Sequence, residues 1–145
     1  MNAKNDISAQ TIPTRILYTM IRVANLEHSL AFYRDVLGMH EVRRETFTEG
    51  RFTLVFVGYR AETENAVIEL TYNWDKTSYL HGTGFGHIAL EVPDIHGACE
   101  RFSRMGVKIV RAPGPMTLAV DETGHRETIA FIEDPDGYRI ELIQT

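Results

Sequence analysis

Two stretches of the chain, residues 18–23 (YTMIRV) and 87–92 (HIALEV), are written to one plan, and this internal duplication restricts the fold more than any other feature. With the period of two of a strand, Thr19, Ile21 and Val23 in the first copy, and Ile88, Leu90 and Val92 in the second, face one way. Tyr18, Met20 and Arg22, or His87, Ala89 and Glu91, face the other. One face suits a core; the opposite face is free for chemistry. The segments downstream of each copy repeat as well. Tyr18 and His87 are 69 residues apart, as are Asn25 and Asp94, while Gly38 and Gly106 are 68 apart and Glu69 and Glu141 are 72 apart. Two like halves imply two like modules related by a pseudo-two-fold arrangement.

Each half reads β-α-β-β-β. In the first, a strand over 16–23 is followed by Asn25, a helix cap, and by Leu26, Leu30, Tyr33 and Leu37 at helical spacing until Gly38. Strands over 40–47, 52–59 and 66–73 complete it. In the second half a strand over 87–92 leads to the cap Asp94, and Ile95, Ala98, Cys99, Phe102 and Met105 form one helical face ending at Gly106. Extended residues 107–111, a loop containing Pro113 and Pro115, a strand over 127–132, the turn Asp134-Pro135-Asp136-Gly137 and a strand over 138–143 complete the second half. The expected fold is α+β, with residues 1–14 as a polar lead-in and 15–145 as one domain of two modules, about 15–80 and 86–145.

Charge and composition narrow the functional classes. A net charge of -5 without clustered Lys and Arg argues against a nucleic-acid surface, which needs cations to neutralise phosphates. No apolar run reaches the roughly 18 to 20 residues that span a bilayer, and the first dozen residues are polar, so a cytoplasmic address is the expectation. The single cysteine, Cys99, sits among apolar helix positions and reads as a buried thiol with no catalytic role.

The duplication also assembles a candidate site. Each half offers one potential ligand at the start of its first strand and one carboxylate in its last strand: Tyr18 with Glu69, and His87 with Glu141. Glu69 shares its strand face with Val67, Thr71 and Asn73, away from Ile68, Leu70 and Tyr72. An isolated Glu or His in a strand is usually a solvent-facing or packed residue. Recurrence at twin positions shifts the reading of Glu69, His87 and Glu141 toward a site.

The segments 19–23 (TMIRV), Phe32-Tyr33 with Leu37-Gly38-Met39, 66–74 (AVIELTYNW), 86–90 (GHIAL) and 134–143 (DPDGYRIELI) closely resemble glyoxalase I, the lactoylglutathione lyases of the vicinal-oxygen-chelate superfamily. The resemblance runs from Arg15 to Ile143. It implies paired βαβββ modules with clefts built across a homodimer, Tyr18 and Glu69 of one copy facing His87 and Glu141 of the other. It also implies a divalent metal (Ni or Co, with Fe, Mn or Zn as further candidates) held by Glu69, His87 and Glu141, with a histidine expected where this chain has Tyr18. A phenol must lose its proton to bind a metal strongly at neutral pH, whereas a neutral imidazole is ready to do so. Tyr18 therefore stands as a fourth ligand or leaves an open three-ligand site.

The family reaction converts the hemithioacetal of methylglyoxal and glutathione to S-lactoylglutathione through an enediolate. By resemblance, Glu141 is the base, Glu69 a ligand and partner in reprotonation, and Arg22 and Asn73 hold the γ-glutamyl head of the substrate. The loop over 115–126 (PMTLAVDETGHR) is longer than in short bacterial-type members; its His125 and Arg126 read as solvated, with approach to the substrate, or His125 in place of the missing ligand, as the alternatives. Two other outcomes stay open: an enzyme of the same fold diverted to another small substrate, and a metal-free ligand-binding or resistance protein.

Overall fold

The computed structural model describes residues 8–145 and contains two four-stranded sheets built to the duplicated plan. The first takes β1 (Tyr18–Arg22), β2 (His40–Phe47), β3 (Phe52–Gly58) and β4 (Val67–Asn73) in the order β1-β4-β3-β2. The second takes β5 (His87–Val92), β6 (Lys108–Pro115), β7 (Thr128–Glu133) and β8 (Arg139–Gln144) in the matching order β5-β8-β7-β6. In each sheet the first strand pairs parallel with the last and the others pair antiparallel. Of the expected polar lead-in, residues 8–14 precede this plan and residues 1–7 lie outside the described ones.

The helices begin and end as the capping residues dictate. In α1 (Leu26–Leu30) the Asn25 side chain accepts from the His28 N–H at 3.0 Å, and in α2 (Ile95–Arg104) Asp94 accepts from the Gly97 N–H at the same distance. Gly38 and Gly106, with φ of 75° and 80°, supply the left-handed turn that stops each helix. One difference breaks the symmetry. The regular helix expected through Leu37 stops at Leu30 and continues as a π-helical turn, Ala31–Val36, with the Leu37 N–H bonded to the Phe32 carbonyl. Within this wider turn two consecutive aromatic residues, Phe32 and Tyr33, are both buried.

A single apolar cluster joins both modules and includes Ile21, Leu30, Tyr33, Leu70, Ile95, Phe102, Ile132 and Ile140. Burying each large side chain of this kind contributes about 1.5–3 kcal/mol. Cys99 lies in the same cluster, where burial pushes its thiol pKa up, as expected for an inert thiol. The loop expected at Pro113 and Pro115 is instead the irregular end of β6. β6 is an edge strand, where proline is tolerated, and the Arg111 guanidinium donates to the carbonyls of Gly114, Pro115 and Ile129, supplying donors the prolines lack. No helix among the described residues is long and apolar enough to cross a membrane.

The turn after β7 locks one module to the other. Asp134 is 5% exposed and accepts from the Tyr33 hydroxyl at 2.7 Å and from the Asp136 and Tyr138 N–H groups at 2.9 Å each. Asp136 in turn accepts from the Ala24 N–H, and the Tyr138 hydroxyl donates to the Arg22 carbonyl. Across the same seam Arg101 donates to the carbonyls of Asp35 and Val36. Burial outweighs these hydrogen bonds and raises the Asp134 carboxyl from 3.8 to about 6. The folded state therefore holds this proton more tightly than the unfolded chain. Its contribution to stability is complete below pH 3.8 and is lost as pH rises through about 6, an effect on the order of 3 kcal/mol. Urea denaturation at pH 4.5 and pH 7 is expected to show the stability difference between the wild-type protein and Asp134→Asn moving toward wild type at the lower pH. A difference independent of pH would contradict it.

Candidate active site

Strand register places the candidate residues. Met20 lies opposite Glu69 on one side and Phe56 opposite Glu69 on the other, so Tyr18, Met20, Glu69, Thr71, Asn73 and Phe56 share the outer face of the first sheet. In the second sheet Ala89 and Phe131 flank Glu141 in the same way, and His87 shares their face. The twin positions agree in side-chain geometry as well as in sequence. The Tyr18 and Phe56 rings meet edge to face at 5.1 Å and 77°, and the His87 and Phe131 rings do so at 5.2 Å and 78°. Phe56 and Phe131 are absent from the site expected on sequence. Their signal lies in the matching T-x-x-F runs, Thr53 to Phe56 and Thr128 to Phe131.

The two half-sites differ in detail. His87 Nε2 lies 3.4 Å from Glu141 Oε1, and both residues reach solvent. Glu69 is buried, 8% exposed, and its Oε2 accepts from the Thr71 hydroxyl at 3.0 Å. Among the described residues Glu69 forms no ion pair with Lys, Arg or His. A buried carboxylate with one hydroxyl donor and no cation is costly unless a positive charge joins it. Together, an imidazole and two carboxylates, one of them lacking a counter-charge, make a nitrogen and oxygen donor set that fits a divalent metal.

These donors do not converge within one chain. Among the described residues no three His, Cys, Asp or Glu side chains gather at one point, because Glu69 belongs to the first sheet and the His87–Glu141 pair to the second. Tyr18 is 40% exposed and stands in the first half-site. Arg43, a further residue not anticipated, stacks its guanidinium 3.5 Å from the Phe56 ring centre and pairs with Glu45 and Glu62. The loop residues His125 and Arg126 are exposed, and the His125 N–H donates to the Thr123 hydroxyl.

Arg22 and Asn73 meet at the far end of the first sheet. They line one cleft of about 560 Å³ with Lys76, Ser78, Tyr79 and Leu80, which belong to the connection between the modules. Thus the structure brings the two expected substrate-binding residues together, and adds a wall that the sequence did not identify.

Residues 15–142 match the model of the Glyoxalase/Bleomycin resistance protein/Dioxygenase superfamily. The chain belongs to this superfamily. A probable lactoylglutathione lyase of Synechocystis sp. is 56% identical over 90% of this chain and 95% of its own length. The lactoylglutathione lyase of Neisseria meningitidis is also 56% identical, over 90% of each chain. Among solved structures, glyoxalase I from Leishmania major, described as trypanothione-dependent, superposes with a TM-score of 0.76 at 41% identity, covering 91% of this chain and 87% of that one. The superfamily membership accounts for the duplicated βαβββ plan and for the two open sheets.

Proposed function

We propose that the protein is a metal-dependent glyoxalase I-like isomerase acting on the hemithioacetal of methylglyoxal and glutathione. The observation that carries this reading is the twin geometry of the half-sites: Tyr18 against Phe56 beside Glu69, and His87 against Phe131 beside Glu141. The high identity to proteins named lactoylglutathione lyase supports the same reaction.

Two copies of the chain form the complete site in this reading, Glu69 and Tyr18 of one copy meeting His87 and Glu141 of the other across a two-fold axis. Glu69, His87 and Glu141 would hold the ion, proposed as nickel or cobalt. When bound, the ion supplies positive charge that favours an enediolate over the neutral substrate. Glu141 removes the proton from the carbon bearing sulfur and oxygen; that electron pair forms the new carbon–carbon double bond while the π pair of the adjacent carbonyl moves onto its oxygen, which takes up a proton. The double bond then collapses as the hydroxyl on the sulfur-bearing carbon loses its proton to become the thioester carbonyl and the abstracted proton is delivered to the neighbouring carbon. His87 Nε2 lies 3.4 Å from Glu141 Oε1, which sets these two proposed ligands side by side. Arg22 and Asn73 hold the γ-glutamyl end of the substrate away from the reacting carbons.

Protein purified without chelator is expected to carry a divalent metal, to isomerise the hemithioacetal, and to run as a dimer at micromolar concentration. Absence of both metal and turnover would overturn the enzyme reading. A strictly monomeric species would overturn the shared site.

A further inference from the structure

The cleft around Arg22 and Asn73 is walled by a segment that belongs to neither sheet, and that segment is held in place at three points. Arg51 grips Asp75 through two hydrogen bonds of 2.7 Å, and the Trp74 N–H bonds the Arg51 carbonyl. Farther along, the His81 ring stacks on Tyr138 at 4.1 Å and 10°, while Tyr138 is itself tied to the Arg22 carbonyl. Between these anchors Tyr79 reaches back to the first sheet, where its hydroxyl accepts from Asn73 Nδ2 at 3.0 Å. The Lys76 ammonium sits 4.8 Å from the centre of the Tyr79 ring.

These contacts give the cleft a chemical polarity. An amide has a donor end and an acceptor end, and Tyr79 engages the donor end of Asn73, leaving the carbonyl oxygen as the end open to a ligand. Arg22 and Lys76 are the cations among the lining residues, which include no carboxylate, and the neighbouring acid Asp75 is taken by Arg51. Two cations and one directed carbonyl match a group that carries a carboxylate and an ammonium on the same carbon.

We infer that Tyr79 is a positioning residue and Lys76 a specificity-determining one: together they orient Asn73 and add a second cation beside Arg22, so that the cleft selects a zwitterionic α-amino-acid head group. The inference rests on the glutathione-conjugate reading and extends it to residues outside the two modules' sheets. Tyr79 acts through Asn73 and Lys76; Asn73 Oδ1 accepts from the ammonium, and Arg22 with Lys76 takes the carboxylate.

The test uses unreactive ligands, so it is independent of turnover. Calorimetric binding is measured for S-methylglutathione, for its analogue lacking the α-amino group, and for its analogue lacking the α-carboxylate. The wild-type protein is expected to bind the intact thioether about tenfold or more tighter than either analogue, consistent with a lost charge-assisted hydrogen bond. Tyr79→Phe keeps the ring beneath Lys76 and removes the hydroxyl; it is expected to reduce the preference for the ammonium to about threefold or less while retaining preference for the carboxylate. Lys76→Gln is expected to do the reverse. In the isomerase assay both variants should raise KM and leave kcat within about twofold. If Tyr79→Phe and Lys76→Gln retain wild-type discrimination, the assignment of these two residues is overturned and the site reading stands. If the wild-type protein binds none of the three ligands, the glutathione-conjugate reading falls and this inference falls with it.

Discussion

Glu141→Gln is expected to lower kcat for hemithioacetal isomerisation by about 10²- to 10⁴-fold, the usual worth of a positioned general base. The substitution keeps the shape of the side chain and one acceptor oxygen, so its place between Ala89 and Phe131 in the sheet is preserved. It removes basicity and one negative charge beside His87. Because the same carboxylate is proposed to help hold the metal, the comparison has to be made at equal metal content, measured on the assayed sample. With content matched, loss in kcat with KM nearly constant identifies proton abstraction; a loss below about tenfold would move the base elsewhere. Glu69 is the residue to examine next. It is the more buried of the two, and the Thr71 hydroxyl occupies one of its oxygens. That arrangement suits a fixed ligand better than a carboxylate that must move to collect a proton.

Where the sequence was legible, the pattern had a local cause. β5 spans the alternating residues between Gly86 and Pro93, and the caps Asn25 and Asp94 hold their helices as their side-chain chemistry requires. The π-turn after Leu30 was not legible in the local pattern; Tyr33, which lies in it, is held by a partner in the other module, Asp134, which receives its hydroxyl 101 positions away in the chain. The extension of β6 through its prolines depends in the same way on Arg111 reaching three carbonyls, one of them on β7. For the site, the internal offset brought Tyr18, Glu69, His87 and Glu141 into twin positions, since symmetry is a property of the sequence itself. Tyr79 and Lys76 have no twin. Their role depends on a connection folding back over the end of β4, a placement set by Arg51, Asp75, His81 and Tyr138 rather than by any periodic signal.

Tyr18→His is expected to raise kcat/KM for the hemithioacetal by more than about tenfold, equivalent to roughly 1.4 kcal/mol of transition-state stabilisation, and to slow metal loss to a chelator. The matched ring geometry is the basis for this expectation. His87 packs on Phe131 with its Nε2 3.4 Å from Glu141, and Tyr18 packs on Phe56 at nearly the same distance and angle on the strand beside Glu69. An imidazole placed on that strand inherits the orientation of its twin and offers a neutral nitrogen without first losing a proton. A phenolate in its place would bring a third negative charge to an ion already facing two carboxylates, and so weaken its pull on electrons in the substrate. Tyr18 is 40% exposed, and the edge-to-face contact it makes is worth about 0.5–1.5 kcal/mol, so the exchange leaves the fold intact. Equal activity and equal metal retention in the two proteins would show that this position stands outside the coordination sphere. Improved retention without improved turnover would separate metal binding from catalysis at this position.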